Sequence, residues 1–164
     1  MEKKPAVLAI SGVKNSGKTT LIQRLLPTLT RAGLRVAVIK HDGHGFLPDD
    51  PNTDTGRYLA SGAFATALFD GSALRIVERT TVTEQELVER FPTADLILLE
   101  GFKHSPWPKL EVVRKENSSA SVCDPATLIA LVTDTDLQIP QVPSIPLDDI
   151  QRTAECIRAF AAAF

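Results

Sequence analysis

Apolar positions in this chain follow two rhythms. Pro5-Ala6-Val7-Leu8-Ala9-Ile10-Ser11, Leu34-Arg35-Val36-Ala37-Val38-Ile39 and Asp95-Leu96-Ile97-Leu98-Leu99-Glu100-Gly101 are short runs with little polar interruption, the pattern of strands buried on both faces of a parallel sheet. Leu110–Val113 and Leu128–Val132 read the same way. Elsewhere the spacing is helical. Leu21, Ile22, Leu25, Leu26 and Leu29 recur up to Arg31-Ala32, with Gly33 as a stop, and Ile150, Ala154, Ile157, Ala161 and Phe164 mark one face of a closing helix headed by Asp148 and Asp149. Pro27 interrupts the first helix and removes the donor that would reach the carbonyl of Gln23.

Between these segments, residues 43–53 have no periodicity and are expected to form a loop. Asp54 is expected to cap a short helix over 54–60. The runs 64–69 and 74–77 flank Asp70-Gly71-Ser72-Ala73 as a hairpin does. Thr83-Glu84-Gln85-Glu86 has capping-box form and opens a helix ending before Phe91-Pro92. The stretch from Ile139 to Pro146, with its three prolines, reads as an extended connection.

The chain has 164 residues, 43% hydrophobic and 23% charged, enough for one domain over 1–164 with one substantial core. A formal net charge of −2 supplies no bulk field for nucleic acid or an anionic membrane, so any anion must be recognised locally. Cys123 and Cys156 are too few for a disulfide framework or a four-cysteine metal site and read as small thiols. Behind Lys3 and Lys4 the apolar stretch stops at Ser11-Gly12, short of a signal-peptide core or a membrane span. A cytoplasmic protein is expected.

Local anion recognition has an obvious seat. Gly12-Val13-Lys14-Asn15-Ser16-Gly17-Lys18-Thr19 is a complete G-x-x-x-x-G-K-T loop between the first strand and the first helix. Gly12 and Gly17 let the backbone curl so that N–H groups point at phosphate oxygens; Lys18 reaches the β- and γ-phosphates, and Thr19 offers its hydroxyl to Mg²⁺. Asn15, Ser16 and Thr20 belong to the same cradle, and the helix opening at about Lys18 adds its N-terminal dipole. The predicted fold class follows: α/β, the three-layer P-loop NTPase architecture, with a mostly parallel central sheet flanked by helices, plus a β-hairpin. The crossover after the loop is expected to be right-handed.

Other residues are candidates for the chemistry. Glu100 ends an apolar strand downstream of the loop, where such folds hold Mg²⁺ through water or orient an attacking water; the alternative is an acid facing solvent. Lys14 either stabilises charge at the leaving phosphate or points to solvent or a partner subunit. Asp42 either shares the Mg²⁺ site or is a plain turn residue. His41, His44 and His104 fit hydrogen bonding to phosphate or substrate better than a zinc site, for which further ligands are lacking nearby. Arg57 is either a charge clamp or part of a solvated helix face. In Thr133-Asp134-Thr135-Asp136, two acids follow a strand where a carboxylate would meet the N1–H and N2–H₂ of guanine. Asp134 is the candidate, although no N-K-x-D signature is present.

Several pieces in order, Gly12-Val13-Lys14-Asn15-Ser16-Gly17-Lys18-Thr19-Thr20, Val38-Ile39-Lys40-His41, Asp50-Pro51 with Asp54 and Arg57, Ser61-Gly62-Ala63, and Leu99-Glu100-Gly101-Phe102-Lys103, resemble the molybdopterin-guanine dinucleotide biosynthesis adaptor family (MobB). The resemblance covers most of the chain to about Lys115. It departs at Asp42-Gly43-His44-Gly45, where the family is usually richer in histidine, and at Asn52-Thr53, where Gly-Lys is usual. The resemblance implies a homodimeric, Mg²⁺-dependent GTP-binding protein with weak hydrolysis, assisting the guanylyltransferase that joins GMP to molybdopterin in molybdenum cofactor maturation. The competing expectation is an ATP-dependent small-molecule kinase, or a ligase related to dethiobiotin synthetase; no acceptor signature for either is evident.

Overall fold

The computed structural model describes residues 4–43 and 45–164, so Lys3 and His44 lie outside the described residues. In chain order the elements are β1 (Ala6–Ser11), α1 (Lys18–Arg31), β2 (Val36–Lys40), α2 (Asp54–Ala60), β3 (Ala65–Phe69), β4 (Leu74–Glu78), α3 (Glu84–Glu89), β5 (Leu96–Glu100), β6 (Lys109–Val113), β7 (Leu128–Thr133), β8 (Ser144–Pro146) and α4 (Ile150–Ala161). They fall into two compact units, one formed by the chain up to His41 with Gln85–Phe164, the other by Asp42–Glu84.

The larger unit holds a six-stranded sheet in the order β2-β5-β1-β6-β7-β8, parallel throughout. Successive side chains of a strand point to opposite faces, and each face here meets a helix. Leu8 and Ile10 of β1, Leu96 and Leu98 of β5 and Val112 of β6 pack with Leu21, Ile22, Leu25 and Leu29 of α1 and with Ala154, Ile157 and Ala161 of α4. Val7, Ala9, Ile97 and Leu99 pack on the other side with Val88 of α3. The α/β fold class with helices on both faces is therefore as expected, and each fully buried leucine contributes about 1.5–3 kcal/mol. No described helix is long and apolar enough to cross a membrane.

Pro27 sits inside α1 without ending it. The proline-rich segment is more ordered than its sequence suggests: Ile145 and its neighbours form β8, pairing Leu131 with Ser144 and Thr133 with Pro146. Prolines are tolerated there because β8 lies at the sheet edge. Helix α4 is capped by Asp149, whose carboxylate accepts from Arg152 N at 3.0 Å. Phe164 lies beyond the helix end and is 59% exposed rather than part of its buried stripe.

In the smaller unit, α2 is capped one residue earlier than expected. The Thr53 hydroxyl, not Asp54, accepts from Gly56 N at 3.1 Å. Strands β3 and β4 form the expected antiparallel hairpin, and its turn is held by Asp70, which accepts from the backbone N–H groups of Ser72 and Ala73 at 2.7 and 2.8 Å. The Asp49 carboxylate, buried, pairs with Arg75 at 2.5 Å.

Candidate nucleotide site

The loop between β1 and α1 has a backbone that few residues other than glycine would allow. Gly12 has φ 138°, and a β-carbon there would run into the carbonyl oxygen of Val112 on the neighbouring strand β6. Gly17, at φ 92°, is the left-handed N-cap of α1 and brings no side-chain cap. The first N–H groups of the helix therefore have no side-chain acceptor of their own, which suits them to an anion. Asn15 is also left-handed, at φ 62°. Lys18 folds back over this loop, donating to the carbonyl oxygens of Val13 at 2.6 Å and Gly12 at 3.3 Å. Burial holds its ammonium below the ordinary lysine range; Glu100 pulls it back up, and Lys40 and Lys103 push it down further.

One end of the loop is an acid–hydroxyl pair. Sheet order puts β5 beside β1, so Glu100, the last residue of β5, comes level with Ile10. The Glu100 carboxylate, almost wholly buried, accepts from the Thr19 hydroxyl at 2.5 Å. The same oxygen, Oε1, lies 3.1 Å from the ammonium of Lys40 at the end of β2. Beside it, the Ser11 hydroxyl donates to Gly101 O at 2.5 Å and Gly101 N donates to Ile10 O at 3.0 Å, fixing the chain that leaves β5 against the root of the loop.

These groups fit Mg²⁺. Thr19 and Glu100 offer hard oxygen ligands, and Glu100 already balances a positive charge. Among the described residues no group of three or more histidine, cysteine or acidic side chains is arranged to hold a metal ion. A metal at this place would therefore draw most of its ligands from phosphate and water, as Mg²⁺ does in phosphate sites.

The remaining candidates are placed as follows. Lys14, Asn15 and Thr20 are exposed along the loop and the first turn of α1, while Ser16 is buried, its hydroxyl without a hydrogen-bond partner among the described residues. Asp134, at the end of β7, accepts from Lys115 N at 2.7 Å and so joins the ends of β7 and β6. His41 stacks obliquely on Phe102, with ring centroids 5.6 Å apart. Asp42 is exposed and opens the smaller unit. Arg57, within that unit, pairs with Asp54 at 3.0 Å. Cys123 is buried, its thiol pushed up to about 12 by burial and by Glu111.

Lys40-His41-Asp42, at the end of β2, is expected from its place beyond a parallel strand to face the phosphate site, and Lys40 reaches Glu100 there. Arg114, which follows β6, has no such signal in the sequence. A β-carbon on Gly17 would stand 3.8 Å from Arg114 Nη1. What brings Arg114 to the loop is strand adjacency, which hydrophobic pattern alone does not carry.

Comparison with known proteins identifies the family. The family profile described as molybdopterin guanine dinucleotide synthesis protein B (MobB) matches residues 7–134. The molybdopterin-guanine dinucleotide biosynthesis adapter protein of Haemophilus influenzae is 32% identical over 143 residues, 85% of this chain and 80% of that protein. Its counterpart in Escherichia coli is 30% identical over 160 residues, 92% of this chain and 90% of that protein. A solved structure described as the crystal structure of Bacillus subtilis MobB superposes with a TM-score of 0.76 at 27% identity, covering 94% of this chain and 97% of that one. With its phosphate loop, its acid-terminated neighbouring strand and these relatives, the chain belongs to the MobB family.

Proposed function

We propose that this protein is a GTP-binding accessory factor in molybdopterin guanine dinucleotide biosynthesis, with weak Mg²⁺-dependent GTPase activity, acting on the guanylyltransferase and its molybdopterin substrate. The observation that carries the reading is the loop itself, closed at one end by the Thr19–Glu100–Lys40 contact. Lys18 leaves the carbonyl oxygens of Gly12 and Val13 for the β- and γ-phosphates, trading two neutral acceptors for charged ones. The N–H groups from Gly17 onward take the phosphate oxygens, and Lys14 on the exposed loop adds charge there. Thr19 and Glu100 would hold Mg²⁺, which would supply positive charge to offset that developing on the phosphates. Glu100 and Thr19 orient that end of the nucleotide, with Asp42 as a further acid to test; Asp134 retains one carboxylate oxygen for a guanine edge.

The acting form is a homodimer. On β3–β4, register places Ala67 opposite Ile76 and Phe69 opposite Leu74 on one hairpin face. Phe69, Leu74 and Ile76 are 76%, 65% and 56% exposed. An apolar face of this kind on a two-stranded hairpin is a docking surface in want of a partner, and a second copy is the occupant that the family resemblance supplies.

Calorimetry with Mg²⁺·GTP and Mg²⁺·ATP tests the nucleotide reading. Wild type is expected to prefer GTP, with binding lost in Lys18→Ala. Preference for ATP would move the assignment to the kinase or ligase class, and no binding of either would remove it.

A further inference from the structure

We propose that Arg114 is a phosphate-binding residue of this site, closing the loop from the β6 side and gripping the phosphates nearer the nucleoside of a bound nucleoside di- or triphosphate. The proposal deepens the nucleotide reading above and rests on it. Its first support is position: Arg114 follows the last residue of β6, and its Nη1 stands 3.8 Å from where a β-carbon of Gly17 would be. No side chain of Gly17 intervenes between the guanidinium and the start of α1.

The second support is that the residue is held in place while its guanidinium is little used. The Arg114 carbonyl accepts from Asn117 N at 2.8 Å and Ser118 N at 2.9 Å, and the next residue's N–H is bound by Asp134 at 2.7 Å. Backbone and neighbours are thus fixed. The side chain is less constrained: it is 41% exposed, and its buried Nε makes no hydrogen bond but lies 3.4 Å from a carboxylate oxygen of the exposed Glu116. The Nη donors at the end of the planar fork, of which Nη1 faces Gly17, match phosphate oxygens.

Sheet order decides which phosphates these are. Glu100 and Lys40 end β5 and β2, on one side of β1, whereas Arg114 follows β6 on the other, and Asp134 follows β7 one strand further. A nucleotide whose terminal, metal-bound phosphate lies at Glu100 crosses the loop towards β6 and β7. Arg114 then meets the phosphates shared by di- and triphosphates, not the γ-phosphate alone.

The test is calorimetry of Mg²⁺·GDP and Mg²⁺·GTP with wild type, Arg114→Ala, Arg114→Lys, Glu116→Ala and Lys18→Ala, each checked for a native circular dichroism spectrum. Arg114→Ala is expected to weaken both nucleotides by about 10- to 100-fold, the range for losing a charge-assisted hydrogen bond. Arg114→Lys is expected to recover part of this, and Glu116→Ala to bind as well as wild type or better. A folded Arg114→Ala that binds like wild type, a loss confined to GTP, or a Glu116→Ala variant as weak as Arg114→Ala would overturn the proposal while leaving the nucleotide reading in place. Wild type that binds neither nucleotide would overturn both.

Discussion

Lys18 bonds to its own loop's carbonyl oxygens, and burial holds its ammonium below the ordinary lysine range. Folding therefore opposes its protonation: the cost is present in full below the lowered value, and stability rises with pH from there up to the unfolded lysine value. A bound phosphate acts in the opposite sense and favours the ammonium. Nucleotide binding should accordingly take up a proton in that alkaline window, and affinity should fall as pH climbs through it. Calorimetry in buffers of differing ionisation enthalpy reads the uptake; none would mean that Lys18 does not touch phosphate. Lys40 makes a separate prediction. Its ammonium sits on Glu100 where Mg²⁺ is expected, so it neutralises that acid when no metal is present. Lys40→Ala should weaken Mg²⁺-free nucleotide by about two- to fivefold, a modest factor because Lys40 is 56% exposed and solvent screens it. Binding measured with and without EDTA checks it, and equal losses in both conditions would count against the idea.

Among the elements, the β3–β4 hairpin carries the clearest consequence. Aspartates at Phe69 and Ile76 would place charge on the apolar face without altering strand pairing, so the double variant should sediment as a monomer in analytical ultracentrifugation while wild type sediments as a dimer. A monomeric wild type would remove the hairpin from the dimer reading. The hairpin was legible in the sequence because Asp70-Gly71-Ser72-Ala73 is turn chemistry between two β-rich runs. So were β1, the loop and α1, since an uninterrupted apolar run, a glycine-bearing loop and a 3.6-residue repeat each have one simple physical reading. The cap of α2 was misplaced by one residue because Thr53 and Asp54 are both competent caps. Strand β8 was hidden because prolines signal an irregular chain unless the strand lies at an edge, and edge status is a property of the finished sheet. Arg114 was hidden for the same reason: it reaches the loop because of which strand lies beside which, and periodicity along a chain says nothing of neighbours across it.

At the scale of the molecule, β1 occupies an inner position, with β5 on one side and β6 on the other. The loop lies early in the chain, yet the groups that complete it arrive late. Ser11 meets Gly101 across 90 positions and Thr19 meets Glu100 across 81. Contacts this distant form only after large loops close, which makes parallel sheets slow to assemble. A fluorescent GDP analogue added during refolding should therefore be captured no sooner than the sole tryptophan, Trp107, which packs beside the core of Val7, Ile97 and Leu99, reaches its native emission. Capture by an earlier species would show that the first strand, loop and helix suffice. On the ribosome the same order has a temporal meaning: a nascent chain displays its whole phosphate-loop motif long before it can hold a nucleotide, and ligand capture becomes a late event that reports a completed sheet.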